Sequence, residues 1–515
     1  MNARLPLLAS VTILALVAWP TFAPAQTDAD PGLNQVNWPD TPAGRWAKAY
    51  FEAYNADGGD ALRPFIKEHF SEGYLSETPV EEVVEGFFKT RGMIHKLEPH
   101  SATPDGDFNV DVIARAVVNS KPIAWLKITI QLSPEAPHDV INMLMGPAPA
   151  PEARKPKDYH DWKNLGDLVE QVRRDSGAPA IAVGVVRGGE IIEQVVTGVR
   201  RLDRPDPVQT DDRYHLGSVT KSFTATMIGK LVEEGTLRWD TTIGEVLHDI
   251  PMRPEYRSVT LEQLLQHRGG IPSMPSSGEF ANGIPDDSGG SARDARATLV
   301  KQILSENPSI RGTYEYSNSG YVVAGYMAER AADRPWEELM RRLVFEPLKL
   351  RSAGFGWPAT PARPDQPLGH VGTAPDLTVE EVGGSLLGDG DYFGPAGNVH
   401  CSIEDLARFA AFHLRGLTGQ DGALKAETVR RLHTPAPGEH YAGGWVVKEI
   451  EPGKYVHLHE GTAGSFFTKV QLYAESDLAI VAVANCGPAA GPFFHKMTKA
   501  IYRQLSQTAI APKDD

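Results

Sequence analysis

Cysteine is nearly absent: Cys401 and Cys486 are the only two in 515 residues. A disulfide framework of the kind that holds small exported domains together is therefore excluded as the basis of the fold. Both thiols lie in apolar segments and read as buried and free. Positive charge is also short, with 51 Lys and Arg against 66 Asp and Glu and a formal net charge of −15. Nonspecific nucleic-acid binding needs a basic surface to neutralise phosphates, so no nucleic-acid partner is expected. Long apolar runs are missing beyond the first stretch, MNARLPLLASVTILALVAWPTFAPAQ. There the run from Leu5 to Trp19 follows Arg4, is punctuated by Pro6 and Pro20, and leads to the small tripeptide Ala23-Pro24-Ala25. It is shorter than a bilayer span. The pattern is that of a cleavable secretory signal over residues 1–25, so a secreted or periplasmic protein with no stable membrane span after cleavage is expected. What remains is ordinary globular usage, 41% hydrophobic and 23% charged, in a chain too long for a single core to be the rule.

A proline-rich stretch, GPAPAPEARKPK at 146–157, reads as an extended, semi-rigid linker. Before it, over 38–145, helices precede strands, the order of an α+β domain. Trp46, Tyr50 and Tyr54 form one helical stripe, and Val80, Val83, Val84, Phe87 and Phe88 form another. Then the period changes: Phe108, Val110 and Val112 alternate, as do Leu126, Ile128, Ile130 and Leu132, with Pro104, Asp105 and Gly106 as a turn. Helices on an antiparallel sheet of this length resemble the nuclear-transport-factor-like cone fold. That resemblance implies a binding or dimerisation module, a candidate for pairing two copies of the chain.

A second domain is expected over 158–507. The segment DWKNLGDLVEQVRRDSG predicts a helix closed by Gly177, and APAIAVGVVRGGEIIEQVVTG predicts a hairpin about Gly188-Gly189. At the other end, HLHEGTAGSFFTKVQLYAESDLAIVAVANCG predicts more strands and GPFFHKMTKAIYRQLSQ a last helix. Both ends should meet on one antiparallel sheet flanked by helices, an α+β fold with a helical subdomain inserted between them. The polar stretch SMPSSGEFANGIPDDSGGSARD interrupts that subdomain and reads as a functional or mobile loop.

The chemistry starts at HLGSVTKSF. If Ser218 opens a helix, Lys221 at i+3 shares its face, and apolar neighbours such as Leu216, Phe223 and Met227 lower the lysine pKa by desolvation. A serine needs such a neighbour to take its proton. Alone, S-x-x-K reads as an N-cap serine and a solvated lysine. It is not alone. Tyr316-Ser317-Asn318 stands in GTYEYSNSG and His459-Glu460-Gly461 in HEGTAG, on a predicted strand. In this order the three resemble the signature motifs of the serine β-lactamase and penicillin-binding superfamily, in the class C form whose second motif opens with tyrosine. VTLEQLLQHRGGIP, the run after Tyr316 and GNVHCSIEDLARFA are also similar to that family, so the resemblance covers roughly 160–505.

The resemblance implies that Ser218 forms an acyl-enzyme while Lys221 and Tyr316 handle the proton, Tyr316 as a phenolate stabilised by Lys221. It further implies that Asn318 orients Lys221 and touches the substrate. The backbone N–H groups of Ser218 and Thr462 would form the oxyanion hole, with Gly461 beside Thr462 in the substrate cleft. No cofactor is implied. The third motif departs from the usual Lys-Thr-Gly of true β-lactamases. His459 is expected to be mostly neutral at pH 7, to polarise Tyr316, and to shift specificity toward esters or D-amino-acid peptides. Glu460 should point to the other face of the strand and be solvated or ion-paired. His457, His459 and Glu460 do not make the H-E-x-x-H zinc signature because Ala463 holds its last place, so no metal is expected. Thr220 and Leu216 fill the places of the two glycines of an α/β-hydrolase nucleophile elbow, which disfavours that fold. The rival reading is a non-catalytic sensor of a ligand or of peptidoglycan on the same fold.

Overall fold

The structure, a computed structural model, describes residues 36–507 except 57–60, 71–74, 76–79, 82, 85–93, 119–120, 137, 139, 149–154, 274–290, 361–362, 364, 373, 375–376 and 381–390. The expected leader, Phe87, Phe88 and most of the polar loop lie outside the described residues. Among those described, no helix is long and apolar enough to cross a membrane. The chain divides into two compact units, Met1–Ala153 and Arg154–Asp515.

In the first unit, Thr41 caps α1 (Pro42–Asn55) by accepting from the Gly44 N–H, with Pro42 in the first turn where its missing N–H costs nothing. Trp46, Tyr50 and Tyr54 are buried on one face, as their spacing predicts. Helix α2 (Leu62–His69) follows, then β1 (Lys96–Pro104), β2 (Asn109–Val118), β3 (Lys121–Leu132) and β4 (Val140–Ala148), paired in the antiparallel order β1-β2-β3-β4. Val110, Val112, Leu126, Ile128, Ile130 and Leu132 fill the core with the helices. Two strands differ from the sequence reading. Strand β1 was not expected because only Leu97 on it is buried, so it carries no alternating signal. Strand β4 continues through Gly146 and Pro147 into the proline-rich stretch. As an edge strand it tolerates proline, which would delete a ladder bond in a central position.

The second unit is built on a seven-stranded sheet of order β13-β14-β15-β16-β5-β6-β7. Its strands are β5 (Ala180–Arg187), β6 (Glu190–Arg201), β7 (Arg204–Pro207), β13 (Val446–Glu451), β14 (Lys454–Thr462), β15 (Phe467–Tyr473) and β16 (Leu478–Ala484). Pairing of β16 with β5 joins the two ends of the domain. Gly188 and Gly189 turn the β5–β6 hairpin with φ of +60° and +72°, the two positive angles a type I′ turn needs. Strands β5 and β16 are apolar at nearly every position because both faces are covered. On one side Ile181, Val183, Ile480 and Ala482 pack with α3 (Leu165–Ser176) and the C-terminal helix (Gly491–Ser506). On the other, Ala182, Val186, Val481 and Val483 share a core with the helix Ile403–Leu417 and with α4 (Thr220–Glu233). Asn164 caps α3 and Gly177, at φ +71°, ends it. Both cysteines are buried and free, and burial pushes their thiols up, Cys486 to about 12.

A smaller sheet, β8-β12-β9, was not anticipated; its strands β8 (Arg213–His215), β9 (Gly354–Phe355) and β12 (Val399–Ser402) are too short to show a period. Behind α4 runs a buried chain of histidines. Thr226 Oγ1 donates to the Ser222 carbonyl and lies 3.0 Å from His413 Nε2, His413 Nδ1 lies 3.0 Å from His433 Nε2, and His433 Nδ1 lies 3.3 Å from His457 Nδ1. Since the Thr226 proton is used on a carbonyl, His413 donates to Thr226, His433 donates to His413, and His457 donates to His433. One neutral tautomer of each ring satisfies the chain, which ties α4 to β14.

Candidate active site

The turn at Gly217–Val219 is a single 3₁₀ turn, and α4 begins only at Thr220. Ser218 therefore precedes the helix instead of opening it, and Lys221 sits in the helix's first turn. The two still meet. Lys221 Nζ is 3.0 Å from Ser218 Oγ, 2.7 Å from Asn318 Oδ1 and 2.7 Å from the Ala396 carbonyl oxygen. Lys221 is fully buried, and desolvation drives its pKa well below that of a free lysine. A neutral amine has two N–H bonds and one lone pair. The two carbonyl oxygens take the N–H groups, which leaves the lone pair for the Ser218 hydroxyl.

Ser317 caps the helix Asn318–Ala332, accepting from the Gly320 N–H at 2.8 Å, and this cap sets Tyr316 and Asn318 on either side of it. Tyr316 lies beside this pair, with its ring centroid 4.9 Å from Lys221 Nζ. Burial raises the Tyr316 pKa, and its interaction with Ser218 only partly opposes this. Burial therefore works against the expected phenolate. Burial also disfavours the charged form of Lys221, the cation that such a phenolate would need.

Strand β14 closes the site. A β-carbon at Gly461 would sit 2.0 Å from the Leu216 carbonyl oxygen and 2.9 Å from the Ser218 nitrogen, and one at Gly217 would sit 2.5 Å from the Thr462 nitrogen. Only paired glycines let the Thr462 backbone come this close to the nucleophile's turn. Gly461→Ala is expected to push strand and turn apart and to cut turnover at least tenfold, because small misplacements of positioned groups are costly in rate; steady-state kinetics on any substrate found for the wild type would check this.

His459 is buried. Its Nδ1 donates to the Glu460 carbonyl at 2.6 Å, so Nε2 accepts from the Tyr441 hydroxyl at 2.9 Å. Burial is the main cause that lowers its pKa to about 3. Glu460 points the other way and pairs across the strand with Lys469. Ser218, Lys221, Tyr316 and Asn318 thus converge by direct contact, Gly461 and Thr462 pack on the Ser218 turn, and His459 joins through Tyr441 instead of touching Ser218.

Sequence reading missed three contributors. Tyr441 precedes Gly444, whose carbonyl accepts from the Ser222 hydroxyl at 2.6 Å. His267, at a positive φ of +56°, accepts the Ser317 N–H at 3.1 Å and lies 4.4 Å, centroid to centroid, from both Tyr316 and Tyr441. The Ala396 carbonyl, a backbone group, leaves no mark in residue identity. His267 and the Gly-Gly turn beside it were visible in LLQHRGGIP, but nothing local says what the ring would face.

A sequence profile described as Beta-lactamase matches residues 165–500. Penicillin-binding protein 4 of Amycolatopsis lactamdurans is 26% identical over 68% of this chain and 91% of its own length. Unguisins hydrolase ungD' of Aspergillus campestris is 26% identical over 63% of this chain, which covers 61% of that protein. Among solved structures, an octameric penicillin-binding protein homologue from Pyrococcus abyssi aligns with a TM-score of 0.56 at 21% identity, over 67% of this chain and 77% of that one. A class C β-lactamase from Rhodobacter sphaeroides aligns with a TM-score of 0.52 at 20% identity, over 65% of this chain and 99% of that one. With a profile spanning more than half of the chain and the fold shared by its structural neighbours, this protein belongs to the β-lactamase family.

Proposed function

We propose that the second unit is a serine hydrolase that cleaves an ester or amide through an acyl-enzyme on Ser218. The observation that carries this is the Lys221 amine, buried and with both its N–H groups occupied, 3.0 Å from the Ser218 hydroxyl. In the acylation step the Ser218 proton passes to Lys221 Nζ as Oγ bonds the substrate carbonyl carbon. The N–H groups of Ser218 and Thr462 receive the oxyanion. As the tetrahedral adduct collapses, the scissile bond breaks, the protonated Tyr316 phenol gives its proton to the leaving group, and Lys221 returns its proton to Tyr316. Water repeats the sequence in reverse to free Ser218.

Asn318 fixes the Lys221 amine, and His459 acts through Tyr441 as a neutral wall of the site instead of a cation. A neutral residue here removes one charge that would favour a carboxylate-bearing β-lactam, which directs the reading toward esters and D-amino-acid amides; the name of one relative, a hydrolase, agrees with a hydrolytic reaction. A screen of short-chain aryl esters, D-amino-acid amides and a chromogenic cephalosporin tests it. Turnover of an ester or amide that disappears in Ser218→Ala is expected. Absence of turnover on every class, together with no covalent capture of a fluorophosphonate, would favour the ligand sensor.

A further inference from the structure

Outside the Ser218 site, the second unit has a cleft of about 370 Å³ lined by Arg213, Arg341, Arg363, His400, Glu337, Gly354 and Phe355. Three arginines converging on one hollow is unusual in a chain with a net charge of −15. No salt bridge joins any of the three to a carboxylate among the described residues. The lining's only acid, Glu337, is held by Arg296 Nη2 at 2.7 Å. The lining carries an excess of positive charge, and its members repel one another: burial and the neighbouring Arg213 both lower the Arg363 pKa.

The arginines are held in place. Arg213 lies on β8, opposite Ser402 of β12. The Arg341 guanidinium stacks 4.9 Å over the Phe355 ring. Arg363 exchanges two backbone hydrogen bonds with Thr360, and its Nη1 approaches His400 Nε2 at 3.5 Å. His400 Nδ1 must donate to the Gly356 carbonyl, 2.9 Å away, so its Nε2 lone pair faces the guanidinium. His400 is buried, and a β-carbon at Gly354 would come within 2.5 Å of its Nε2, so the ring is seated against bare backbone.

A guanidinium presents a planar fork that binds oxyanions through paired N–H groups. One fork satisfies a carboxylate, whereas three lining one hollow match a tetrahedral dianion with several oxygens. The volume is at the lower end of that of small-molecule sites. We propose that this cleft binds a phosphate group, free or carried on a small organic molecule, at a site separate from the catalytic one. It lies on the strand that feeds the nucleophile, since β8 ends at His215 and the Ser218 turn follows directly.

The test is calorimetric titration and thermal melting of the full chain with inorganic phosphate, pyrophosphate and succinate at matched ionic strength. Saturable binding of phosphate or pyrophosphate, with a concentration-dependent rise in Tm and at least tenfold weaker binding in Arg213→Gln and Arg363→Gln, is expected. Pyrophosphate binding tighter than phosphate points to an esterified or condensed ligand, and the reverse to the free ion; either supports the site. Should those two variants melt early without ligand, the surface-exposed Arg341→Gln carries the comparison. No saturable phosphate binding, binding indifferent to all three substitutions, or succinate bound as tightly as phosphate would overturn the assignment.

Discussion

On the proposed mechanism, Lys221→Ala is expected to lower the rate of Ser218 acylation by a factor on the order of 10²–10⁴, the usual contribution of a positioned proton acceptor, and Ser218→Ala to remove acylation altogether. The reason lies in the contacts of the amine. Among the described residues, the Lys221 amine is held 3.0 Å from Ser218 Oγ, and burial disfavours the Tyr316 phenolate that could otherwise take the proton. The pH profile carries the sign. Acylation needs the neutral amine, so kcat/KM rises as pH rises through the Lys221 pKa, which burial has placed well below that of a free lysine. Lys221→Arg should be as inactive as Lys221→Ala because a guanidinium stays charged. The measurement is the rate of fluorophosphonate labelling and of aryl-ester turnover in each variant, beside a circular dichroism melt to show that the fold survives. A wild-type rate in Lys221→Ala would remove the amine from the mechanism.

Mild acid is expected to destabilise the second unit steeply. His215, His267, His370, His400, His413, His433, His457 and His459 are all buried with lowered pKa values: about 4 for His215, His370 and His457, about 3 for His400, His413 and His459, and well below the ordinary value for His267 and His433. Desolvation is the first cause in each. In the unfolded chain these rings titrate near 6.5, so below that pH the unfolded state binds more protons and stability falls until the folded values near 3 to 4 are reached. Each ring contributes up to roughly 1.4 kcal/mol per pH unit. Several such rings amount to a large fraction of the stability of a typical domain, roughly 5–15 kcal/mol. Two buried carboxyls act in the opposite sense. Burial raises Glu380 to about 7 and also raises Glu329, so their contribution is present at low pH and is lost as pH rises above the ordinary carboxylate range. Two groups do not offset eight. Melting temperature is expected to fall by roughly 10 °C or more between pH 7 and pH 5.5, and His457→Gln, which replaces the least enclosed member of the histidine chain, should flatten the slope. A melting temperature constant across that interval would show that the rings are protonated in the folded state.

Signals confined to a few residues were legible in the chain itself. The helix ended by Gly177, the Gly188-Gly189 hairpin, the Trp46-Tyr50-Tyr54 stripe and the apolar runs of β5 and β16 each depend on a turn type or a burial period that a short window contains. So did the grouping of Ser218 with Lys221, since three positions along a turn put two side chains together even though the turn is 3₁₀ and not the start of α4. Tyr316, Asn318, His459, Gly461 and Thr462 were legible only through motif order, that is, by resemblance and not by geometry.

By itself the sequence determined which residues could do chemistry, where most helices and strands lie, and to which family the larger domain belongs. Tertiary structure alone decided their protonation. Whether Tyr316 is a phenolate or Lys221 an ammonium depends on how much water the surrounding segments exclude, and desolvation is a property of the packed volume, not of neighbours in the chain. For the same reason only the fold could bring Tyr441 to His459, the Ala396 carbonyl to Lys221, and three arginines from separate segments to one cleft.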